Sequence, residues 1–308
     1  MLEGRKVLIT GHTGRLGGSV AAAFAGKCDL WGLARYSGRG QKEYWQALGL
    51  HTIVGDFARD DLSRILPTDF DYVLNIAANT APATALDGLR DNAEGVGLLM
   101  AHCRGARAFL HVSTIGVYTP CRDPDHRHRE TDAVGSNYNP LYAGSKLAGE
   151  GAVLAFARVL NLPAVICRLG AQYGRYGDGG LPGIILSMLE AGQPIPLRDP
   201  ERMYVALVSN DDVVAFVEPS LQAAAVPAKI LNWVGDEPVS FRDIIDHLAG
   251  LAGVQAKYAG ETNAWGSFCV DATERRRITG PCRVSWREGL TRMYEDLKAR
   301  ERGAATPR

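Results

Sequence analysis

A tyrosine and a lysine lie four residues apart in the segment Tyr142-Ala143-Gly144-Ser145-Lys146. On a helix this spacing places both side chains on one face, although ordinary amphipathic helix surfaces also carry such pairs. An ammonium beside a phenol favours the phenolate, and a phenol with a pKa of about 10 needs a depression of roughly 3 units to act near neutrality. The pair is therefore a candidate for proton-transfer chemistry, in which the charge of Lys146 would favour the phenolate of Tyr142.

Two hydroxyl side chains upstream of Tyr142 are further candidates for the same chemistry. The apolar run Phe109–Val112 is typical of a buried strand and is followed directly by Ser113 and Thr114. The carboxyl end of a strand in an open α/β sheet lies at the edge where ligands bind. A hydroxyl at this place could hydrogen-bond the same substrate oxygen as Tyr142, or could only cap a turn.

A glycine-rich segment near the start of the chain predicts a dinucleotide site. The strand-like run Val7–Thr10 precedes Gly11-His12-Thr13-Gly14-Arg15-Leu16-Gly17, and an alanine-rich helix follows. In such a loop the first glycine allows a tight turn, the second lets the backbone approach a pyrophosphate, and the third lets helix and strand pack closely. The helix N-terminus adds amide donors and the positive end of a dipole.

The end of the second predicted strand bears on the choice of cofactor. An acidic residue there bonds the ribose 2′-hydroxyl of NAD, whereas an arginine accommodates the 2′-phosphate of NADP. This strand ends in Leu33-Ala34-Arg35, Arg39 follows, and Arg15 lies inside the glycine loop. The sequence therefore favours NADP over NAD, although these arginines could also be solvated loop residues.

Short β-rich runs alternate with longer helical stretches through the first 170 residues. This alternation predicts an α/β fold, a doubly wound parallel sheet of the Rossmann type with right-handed crossovers. The predicted strands are Lys6–Thr10, Leu30–Ala34, His51–Val54, Tyr72–Ile76, Ala108–Ser113 and Ala164–Arg168. The predicted helices between them include Gly17–Ala25, Asp91–Cys103 and Tyr142–Leu160.

The pattern changes after residue 170, where glycine-rich and proline-rich stretches appear. Helices are predicted at Ile184–Leu189 and Asp211–Glu218, and strands at Val205–Ser209 and Ile230–Val234. We expect residues 1–170 to form the dinucleotide-binding domain, with segment 203–235 returning to it. Residues 171–202 and 236–308 are then expected to form a smaller, interleaved substrate-binding region.

The composition excludes several classes of protein. Of 308 residues, 46% are hydrophobic and 22% charged, which is the usage of ordinary soluble domains rather than of disordered or collagen-like chains. Thirty-four basic and 34 acidic residues balance, so no global field would attract nucleic acid or a membrane surface. The chain has no signal-like apolar start and no apolar run of membrane-spanning length, and its six cysteines form no CxxC pair. We therefore expect a cytoplasmic protein with reduced thiols and a small-molecule substrate.

Taken together, these motifs resemble the extended short-chain dehydrogenase/reductases of the epimerase/dehydratase type. The resemblance covers most of the chain, and the motifs follow the family's order and spacing. They are the glycine loop, Gly55-Asp56-Phe57, Asn75-Ile76-Ala77-Ala78, Asn92, Ser113-Thr114 with Val117-Tyr118, Tyr142 with Lys146, Arg168 with Tyr173-Gly174, and Val208-Ser209-Asn210-Asp211-Asp212.

The resemblance implies a role for each matching residue. Tyr142 would be the general acid/base, Lys146 would also hold the nicotinamide ribose, and Thr114 would bind the reacting oxygen in preference to Ser113. The expected cofactor contacts are Gly11, Thr13, Gly14, Arg15, Leu16, Gly17, Arg35, Asp56, Phe57, Ala77, Ala78, Asn92 and Lys146. The expected substrate contacts are Asn79, Thr114, Arg168, Ala171 and Arg202. The implied reaction is hydride transfer between the nicotinamide and a secondary alcohol or ketone.

Two departures from the family pattern narrow the expected reaction. Family members that eliminate water usually carry an acidic residue directly after the catalytic threonine, but here Ile115-Gly116 follows, so a 4,6-dehydratase is not expected. Nucleotide-sugar enzymes of the family commonly have an asparagine where this chain has Ala171, which weakens the expectation of a nucleotide-sugar substrate. Arg202 or Arg175 could still meet a phosphate, or could be surface charges.

Three functions remain open from the sequence. The leading one is an NADP-linked ketoreductase or dehydrogenase of a sugar-like or other hydroxylated metabolite. The second is a nucleotide-sugar 4-epimerase that passes through a transient ketone, and the third is a non-catalytic dinucleotide sensor. The family also implies a homodimer. The helices at Asp91–Cys103 and Leu147–Leu160 could form its interface, or both could merely pack on the sheet.

Two other groups of residues receive the plainer interpretation. Cys121, His126 and His128 do not follow an established zinc spacing, so no metal site is predicted and the segment is expected to be a polar loop near the substrate. Trp233, Trp265 and Trp286 are expected to pack in the core or at its rim.

Overall fold

The computed structural model describes residues 1–135, 139–174, 179–260 and 265–303. The chain divides into two compact units. The first comprises Met1–Thr119, Ala133–Arg168 and Val214–Leu231, and the second comprises Pro120–Asp132, Leu169–Val213 and Asn232–Arg308. Each unit therefore draws on segments that are distant in sequence.

Eleven strands are formed by the described residues. They are β1 (Lys6–Thr10), β2 (Asp29–Ala34), β3 (His51–Val54), β4 (Tyr72–Asn75), β5 (Ala108–Thr114), β6 (Ala164–Leu169), β7 (Ala171–Tyr173), β8 (Tyr204–Val205), β9 (Leu207–Ser209), β10 (Lys229–Trp233) and β11 (Val239–Ser240). Most of the first six are continuous apolar runs, as expected where helices cover both faces of a sheet.

Eleven α-helices are formed by the same residues. They are α1 (Arg15–Phe24), α2 (Gln41–Ala47), α3 (Leu62–Ile65), α4 (Ala85–Leu89), α5 (Gly95–His102), α6 (Pro140–Leu160), α7 (Gly180–Glu190), α8 (Asn210–Gln222), α9 (Phe241–Ala252), α10 (Thr273–Thr279) and α11 (Trp286–Glu301). A π-helical turn at Arg90–Glu94 joins α4 to α5, and 3₁₀ turns occupy Ile115–Val117 and Pro200–Arg202.

The first unit holds a seven-stranded sheet with the strand order β10-β6-β5-β4-β1-β2-β3. The chain runs from β1 to β3 in one direction and then continues from β4 in the other, so the order reverses between β1 and β4. β1 pairs in parallel with both β2 and β4, and β4 pairs in parallel with β5. The predicted doubly wound parallel sheet is confirmed, and the reversal point is where such folds bind ligands.

The core of the first unit lies between this sheet and the helices α5 and α6. Leu8, Val73 and Phe109 from the strands pack with Leu99 of α5 and Val153 of α6, and all five are fully buried. Burial of each such side chain contributes about 1.5–3 kcal/mol. This packing fixes α6 against β5, and α6 carries the tyrosine–lysine pair.

Helix α6 is the longest helix and begins two residues before the predicted start. Pro140 occupies its first turn, where the missing N–H costs nothing, and Asn161 ends it in a left-handed conformation. Gly149 allows the helix to approach the π-helical turn, because a Cβ there would lie 2.2 Å from the carbonyl oxygen of Asn92. The small alanine and glycine side chains of α6 thus allow the helix to pack closely against this turn.

The second unit has its own apolar core and two small two-stranded sheets. Ile185 of α7, Phe241 and Ile245 of α9, and Leu290 and Met293 of α11 are buried together. β7 pairs in parallel with β9, and β11 pairs antiparallel with β8. Trp233 is fully buried, Trp265 stacks on Phe241 with 5.5 Å between ring centroids, and Trp286 packs on His247.

The single strand predicted at Val205–Ser209 is wrong. Val205 pairs with Val239 of β11, whereas Leu207 pairs with Ala171 of β7, so the chain changes its sheet partner at Ala206. The carbonyl of Ala206 accepts the amide of Ala171. The apolar pattern is the same on both sides of this change, which is why the sequence shows one strand.

The start of the predicted helix Asp91–Cys103 also differs, because residues 91–94 lie in the π-helical turn and α5 begins at Gly95. Such turns widen the helix and often occur at functional sites.

Among the described residues, no helix combines the length and the apolar character needed to cross a bilayer. All six cysteines carry free thiols.

Candidate active site

The glycine loop between β1 and α1 is packed so tightly that two of its positions exclude a side chain. Gly11 has a φ of +76°, and a Cβ there would lie 2.5 Å from the amide nitrogen of Ala77. A Cβ on Gly17 would lie 2.1 Å from the carbonyl oxygen of Gly11. These contacts bring the start of α1 against the end of β1, at the point where the strand order reverses.

The N-terminus of α1 fits the diphosphate of a dinucleotide. Its N-cap is Gly14, which is exposed and has no side chain to take up the first amides. The first turn contains Arg15, Leu16 and Gly17 and no acidic residue. The amides of a helix N-terminus, the positive end of the helix dipole and a nearby guanidinium are the donor set that a diphosphate needs. Thr13 and Arg15 are half-buried beside this turn, and Leu16 is buried under it.

His12 is a buried residue of the loop that the sequence analysis did not single out. Its Nε2 lies 2.8 Å from the Tyr36 hydroxyl, which donates to the carbonyl of Gly32 at 3.1 Å. A Cβ on Gly32 would lie 2.6 Å from the His12 ring. Burial lowers the pKa of His12 to about 4, so the ring is neutral and acts as a spacer between the loop and β2.

Arg35 and Arg39, the residues on which the NADP preference depends, follow β2 and are exposed. Asp56 follows β3 and accepts the amide of Ala58 at 3.0 Å and the guanidinium of Arg59 at 2.9 Å. Phe57 packs so near Gly95 of α5 that a Cβ on Gly95 would lie 2.9 Å from its ring. These residues therefore stand along the carboxyl edge of the sheet on the β2–β3 side.

The segment after β4 is held by two asparagines. Asn79 donates its backbone amide to the side-chain oxygen of Asn92, and Asn92 donates its side-chain amide to the carbonyl of Asn79, both at 2.9 Å. Asn92 also donates to the Ser145 hydroxyl of α6 at 2.9 Å. Ala77 is half-buried and Ala78 exposed beside this pair. Asn92 thus acts as a brace between the β4 segment and α6 in this structure.

Thr114 and Tyr142 are brought together at the carboxyl end of β5. Burial raises the pKa of Tyr142, while a hydrogen bond from Thr114 and the positive charge of Arg15 act in the opposite direction. The net shift is upward, unlike the depression expected from the tyrosine–lysine spacing. The reason is that burial of the phenol outweighs the favourable charges around it.

Lys146 is fully buried, and its side chain contacts a histidine. Its Nζ lies 3.3 Å from Nε2 of His111, a residue of β5. Burial lowers the pKa of Lys146 to about 7, against which the carboxylate of Glu150 acts. His111 gave no signal in the sequence analysis, because it lies inside an apolar strand and belongs to no motif.

Ser113 and Arg168 belong to a different network from Thr114. The Ser113 hydroxyl donates to Oε1 of Glu150 at 2.6 Å, and Arg168 forms an ion pair with Glu150 at 2.8 Å. The guanidinium of Arg168 also lies over the Tyr118 ring, 4.8 Å from its centroid. Both residues are buried, so the structure separates them from the hydroxyl pair of Thr114 and Tyr142.

The remaining candidates lie in the second unit. Ala171 is half-buried in β7, and Arg202 is exposed, with a nitrogen 3.9 Å from a carboxylate oxygen of Asp125. Nε2 of His126 lies 2.7 Å from Oδ2 of Asp132, and the amide of Arg129 donates to the same oxygen. A cavity of this unit is lined by Cys121, His126, His128, Arg202, Trp265 and Cys269, among others. Arg175 lies outside the described residues.

The chain matches a protein-family model over most of its length. The model described as the NAD dependent epimerase/dehydratase family matches residues 7–232. The chain belongs to this family. Its members are NAD-dependent enzymes, and the glycine loop with the uncapped start of α1 could hold a dinucleotide.

Solved structures of family enzymes share the fold over nearly their whole length. The UDP-glucuronic acid 4-epimerase of Bacillus cereus, solved with UDP-glucuronic acid and NAD, is 22% identical, with a TM-score of 0.80 over 95% of this chain and 99% of that chain. The UDP-N-acetylglucosamine 4-epimerase of Methanobrevibacter ruminantium, solved with UDP-N-acetylmuramic acid, is 17% identical, with a TM-score of 0.83 and coverages of 97% and 99%.

A dehydratase is also similar. The dTDP-glucose 4,6-dehydratase of Bacillus anthracis, solved with NAD, is 16% identical, with a TM-score of 0.79 and coverages of 96% and 97%. No curated protein matches the sequence. At these identities the structural likenesses establish the fold of this epimerase/dehydratase family member, and its reaction must be argued from its own residues.

Proposed function

We propose that this protein is an NAD(P)-dependent epimerase that inverts one secondary carbinol of a sugar-like substrate, with nucleotide sugars as the substrate class. The observation that carries the proposal is the hydrogen-bonded pair of Thr114 and Tyr142 at the carboxyl end of β5. It supplies one proton-transfer group and one oxygen-binding group, which is what reversible oxidation of a carbinol needs.

The residue after Thr114 argues against elimination. Removal of water from a keto sugar needs a second base for the proton α to the carbonyl, and Ile115 and Gly116 offer none. Ile115 is buried in the 3₁₀ turn that follows β5. Redox chemistry at a single carbon, without loss of water, is the reaction that these side chains favour.

The roles proposed for the chain's own residues follow from this reaction. A bound nicotinamide would supply reversible acceptance of a hydride. During oxidation Tyr142 takes the proton of the substrate hydroxyl as the C–H bond is broken. During the return step Tyr142 gives that proton back to the oxygen, and Thr114 holds the oxygen throughout. Inversion requires that the two steps use opposite faces of the keto carbon.

The full-length similarity to two 4-epimerases supports epimerisation rather than net reduction. The two structures were solved with UDP-linked sugars, which is the reason for proposing nucleotide sugars here. Ala171 has no side-chain donor for a diphosphate, so Arg202 and the cavity at His126 and His128 are proposed as substrate contacts instead. Asn79 is proposed as a further contact from the β4 side. We propose that residues 1–170 with 203–235 bind the cofactor and that residues 171–202 and 236–308 bind the substrate.

The deciding experiment is a screen of UDP- and dTDP-linked sugars and of simple keto and hydroxy compounds, each with NAD and with NADP. If the protein is an epimerase, NMR will show that one sugar is converted into its C4 epimer. The nicotinamide absorbance will stay unchanged, because the hydride returns from the cofactor to the sugar. Stoichiometric change of that absorbance with a substrate, and no epimer, would instead identify a ketoreductase or dehydrogenase. If Tyr142→Phe retained every activity, the protein would be a non-catalytic dinucleotide sensor.

The NADP preference is a separate part of the proposal. Arg35 is exposed at the end of β2, where an NAD enzyme commonly has a carboxylate, and a guanidinium there tolerates a 2′-phosphate. We expect NADPH to bind more tightly than NADH, and Arg35→Asp to reverse the order. Equal dissociation constants in calorimetry would remove the preference without affecting the epimerase proposal.

We also propose a homodimer formed through α5 and α6. Leu98 of α5 is 48% exposed and Val159 of α6 is 80% exposed, and both are large apolar side chains. Light scattering should give twice the monomer mass for the native protein and a monomer for Leu98→Lys with Val159→Lys. A monomeric native protein would reject this assembly.

A further inference from the structure

Three polar residues are aligned across the buried centre of the sheet. Thr10 of β1 is paired in register with Asn75 of β4, and Asn75 is paired in register with His111 of β5. Each has none of its surface exposed, and Lys146 of α6 has 1%. Burying four polar side chains among apolar neighbours is costly unless each is hydrogen-bonded. The alignment therefore calls for a chain of hydrogen bonds.

Such a chain runs from the β4 segment to Lys146. The amide of Ala77 donates to the Thr10 hydroxyl at 3.3 Å, and Thr10 donates to Oδ1 of Asn75 at 2.7 Å. Nδ2 of Asn75 lies 3.0 Å from Nδ1 of His111, and Nε2 of His111 lies 3.3 Å from Nζ of Lys146. Thr10, Asn75 and His111 therefore each have a partner on both sides.

The direction of the chain determines where the histidine proton lies. The Ala77 amide can only donate, so Thr10 accepts there and gives its own hydrogen to Asn75. Asn75 then presents its NH₂ group to Nδ1 of His111, which must accept, so the ring proton is on Nε2. The opposite direction would leave the Thr10 hydroxyl hydrogen without an acceptor in this chain. An Nε2–H pointing at Nζ needs a lone pair, which only an uncharged amine has.

We propose that His111 is a positioning residue for Lys146: as the Nε2–H tautomer it donates to the uncharged amine, so that Lys146 takes up a proton only when the His111 tautomer and the Asn75 amide switch together. The inference concerns the protein itself and does not depend on which substrate it uses.

The charges around Lys146 are consistent with an uncharged amine. Burial by itself lowers the pKa of His111, so the ring stays neutral beside an uncharged Lys146. Tyr142 and Glu150 flank Lys146 by one turn each on α6, and Glu150 is paired with Arg168 of β6. The π-helical turn packed against α6 presents Asp91, whose carboxylate is bound by Arg59 and by Asn79. Glu150 is thus the group that favours the ammonium, and it is already neutralised by Arg168.

The protonation state of Lys146 therefore affects how readily Tyr142, the acid/base group, loses its own proton. With Lys146 uncharged, Tyr142 lacks the lysine cation that would favour its phenolate, and the charge of Arg15 acts in that direction without it. Protonation of Lys146 would restore that cation. The hydrogen-bond chain from Ala77 to His111 connects the sheet edge at β4 to this event, 69 positions away in the sequence from Lys146.

The test uses the purified full-length protein labelled with ¹⁵N in its histidine rings and ¹³C in its lysines. At pH 8 we expect protonated Nε2 and unprotonated Nδ1 for His111. We expect the Lys146 titration midpoint to rise in His111→Phe by about one unit, a tenfold change in proton affinity, because a donor to the amine is lost. His111→Gln retains a donor and should shift the midpoint less. His102→Gln, a histidine change outside the chain, should leave the midpoint unchanged.

Two outcomes would overturn the proposal. One is a His111 ring protonated on Nδ1 at pH 8. The other is a Lys146 midpoint that falls or stays constant in His111→Phe, since an ammonium that donated to His111 would lose its acceptor in that variant. If His111→Phe does not fold by circular dichroism, the tautomer of the native protein and the midpoint in His111→Gln decide the question.

Discussion

Lys146 and Glu150 lie one turn apart on α6, both are buried, and their charges are handled in opposite ways. Glu150 forms an ion pair with the guanidinium of Arg168 and also accepts a hydrogen bond from the hydroxyl of Ser113. Lys146 faces His111, a neutral ring at the end of a hydrogen-bond chain. A closed ion pair holds its charge permanently, whereas an amine with a neutral partner can gain or lose a proton. The first network therefore suits a structural role and the second an acid/base role.

The largest expected effect is on turnover and tests the acid/base role of Tyr142 beside Lys146. Tyr142→Phe removes the proton-transfer group and should lower turnover about a thousandfold. Its free energy of unfolding should change little, because the aromatic ring is retained. The two quantities are measured by product formation with the substrate found in the screen and by urea unfolding. A variant with near-native turnover would show that Tyr142 is not the acid/base.

The next largest effect is on stability and follows from loss of the ion pair between Glu150 and Arg168. Glu150→Gln leaves the buried Arg168 without a counter-charge and should lower the free energy of unfolding by about 4 kcal/mol. Urea unfolding measures this change. The control is Glu150→Gln combined with Arg168→Met, which removes both charges and should recover most of the loss. If the double variant were no more stable than the single one, the ion pair would not be the cause.

A third effect separates the two networks by pH. Folding lowers the pKa of Lys146 from 10.5 to about 7, so the buried amine costs stability fully below pH 7, and this cost fades as the pH rises towards 10.5. Lys146→Met should therefore be more stable than the native protein at pH 6, by on the order of 5 kcal/mol. The difference should shrink steadily between pH 7 and pH 10. Unfolding curves at four pH values measure it, and a constant difference would contradict the lowered pKa.

The smallest effect tests which hydroxyl is structural. Ser113→Ala removes one buried hydrogen bond to Glu150 and should lower the free energy of unfolding by about 1 kcal/mol with little loss of turnover. Thr114→Ala, the matched control one residue later, should reduce turnover strongly. It should also lower the free energy of unfolding by about 1 kcal/mol, because the Thr114 hydroxyl accepts the amide of Gly116 at 3.1 Å. The reverse pattern would exchange the roles assigned to the two side chains.

Much of the fold could be predicted from the sequence because its signals are local. The continuous apolar strands, the glycine loop and the alanine-rich helices each depend on neighbouring residues, and the doubly wound sheet follows from their alternation. One exception was Val205–Ser209, where the change of sheet partner at Ala206 depends on β7 and β11. Apolar periodicity carries no information about which strand lies beside another.

In the candidate site, too, some features follow from the sequence alone and others depend on the tertiary structure. The spacing of Tyr142 and Lys146, the position of Thr114 after β5 and the glycine loop follow from the sequence alone, since helix and strand geometry fix where such side chains stand. The partners of those side chains depend on tertiary structure: His111 meets Lys146, and Ser113 and Arg168 meet Glu150, only because α6 docks on β5 and β6. Strand register and helix docking join residues that are distant in the chain, and so they determined which buried charge is locked and which can change.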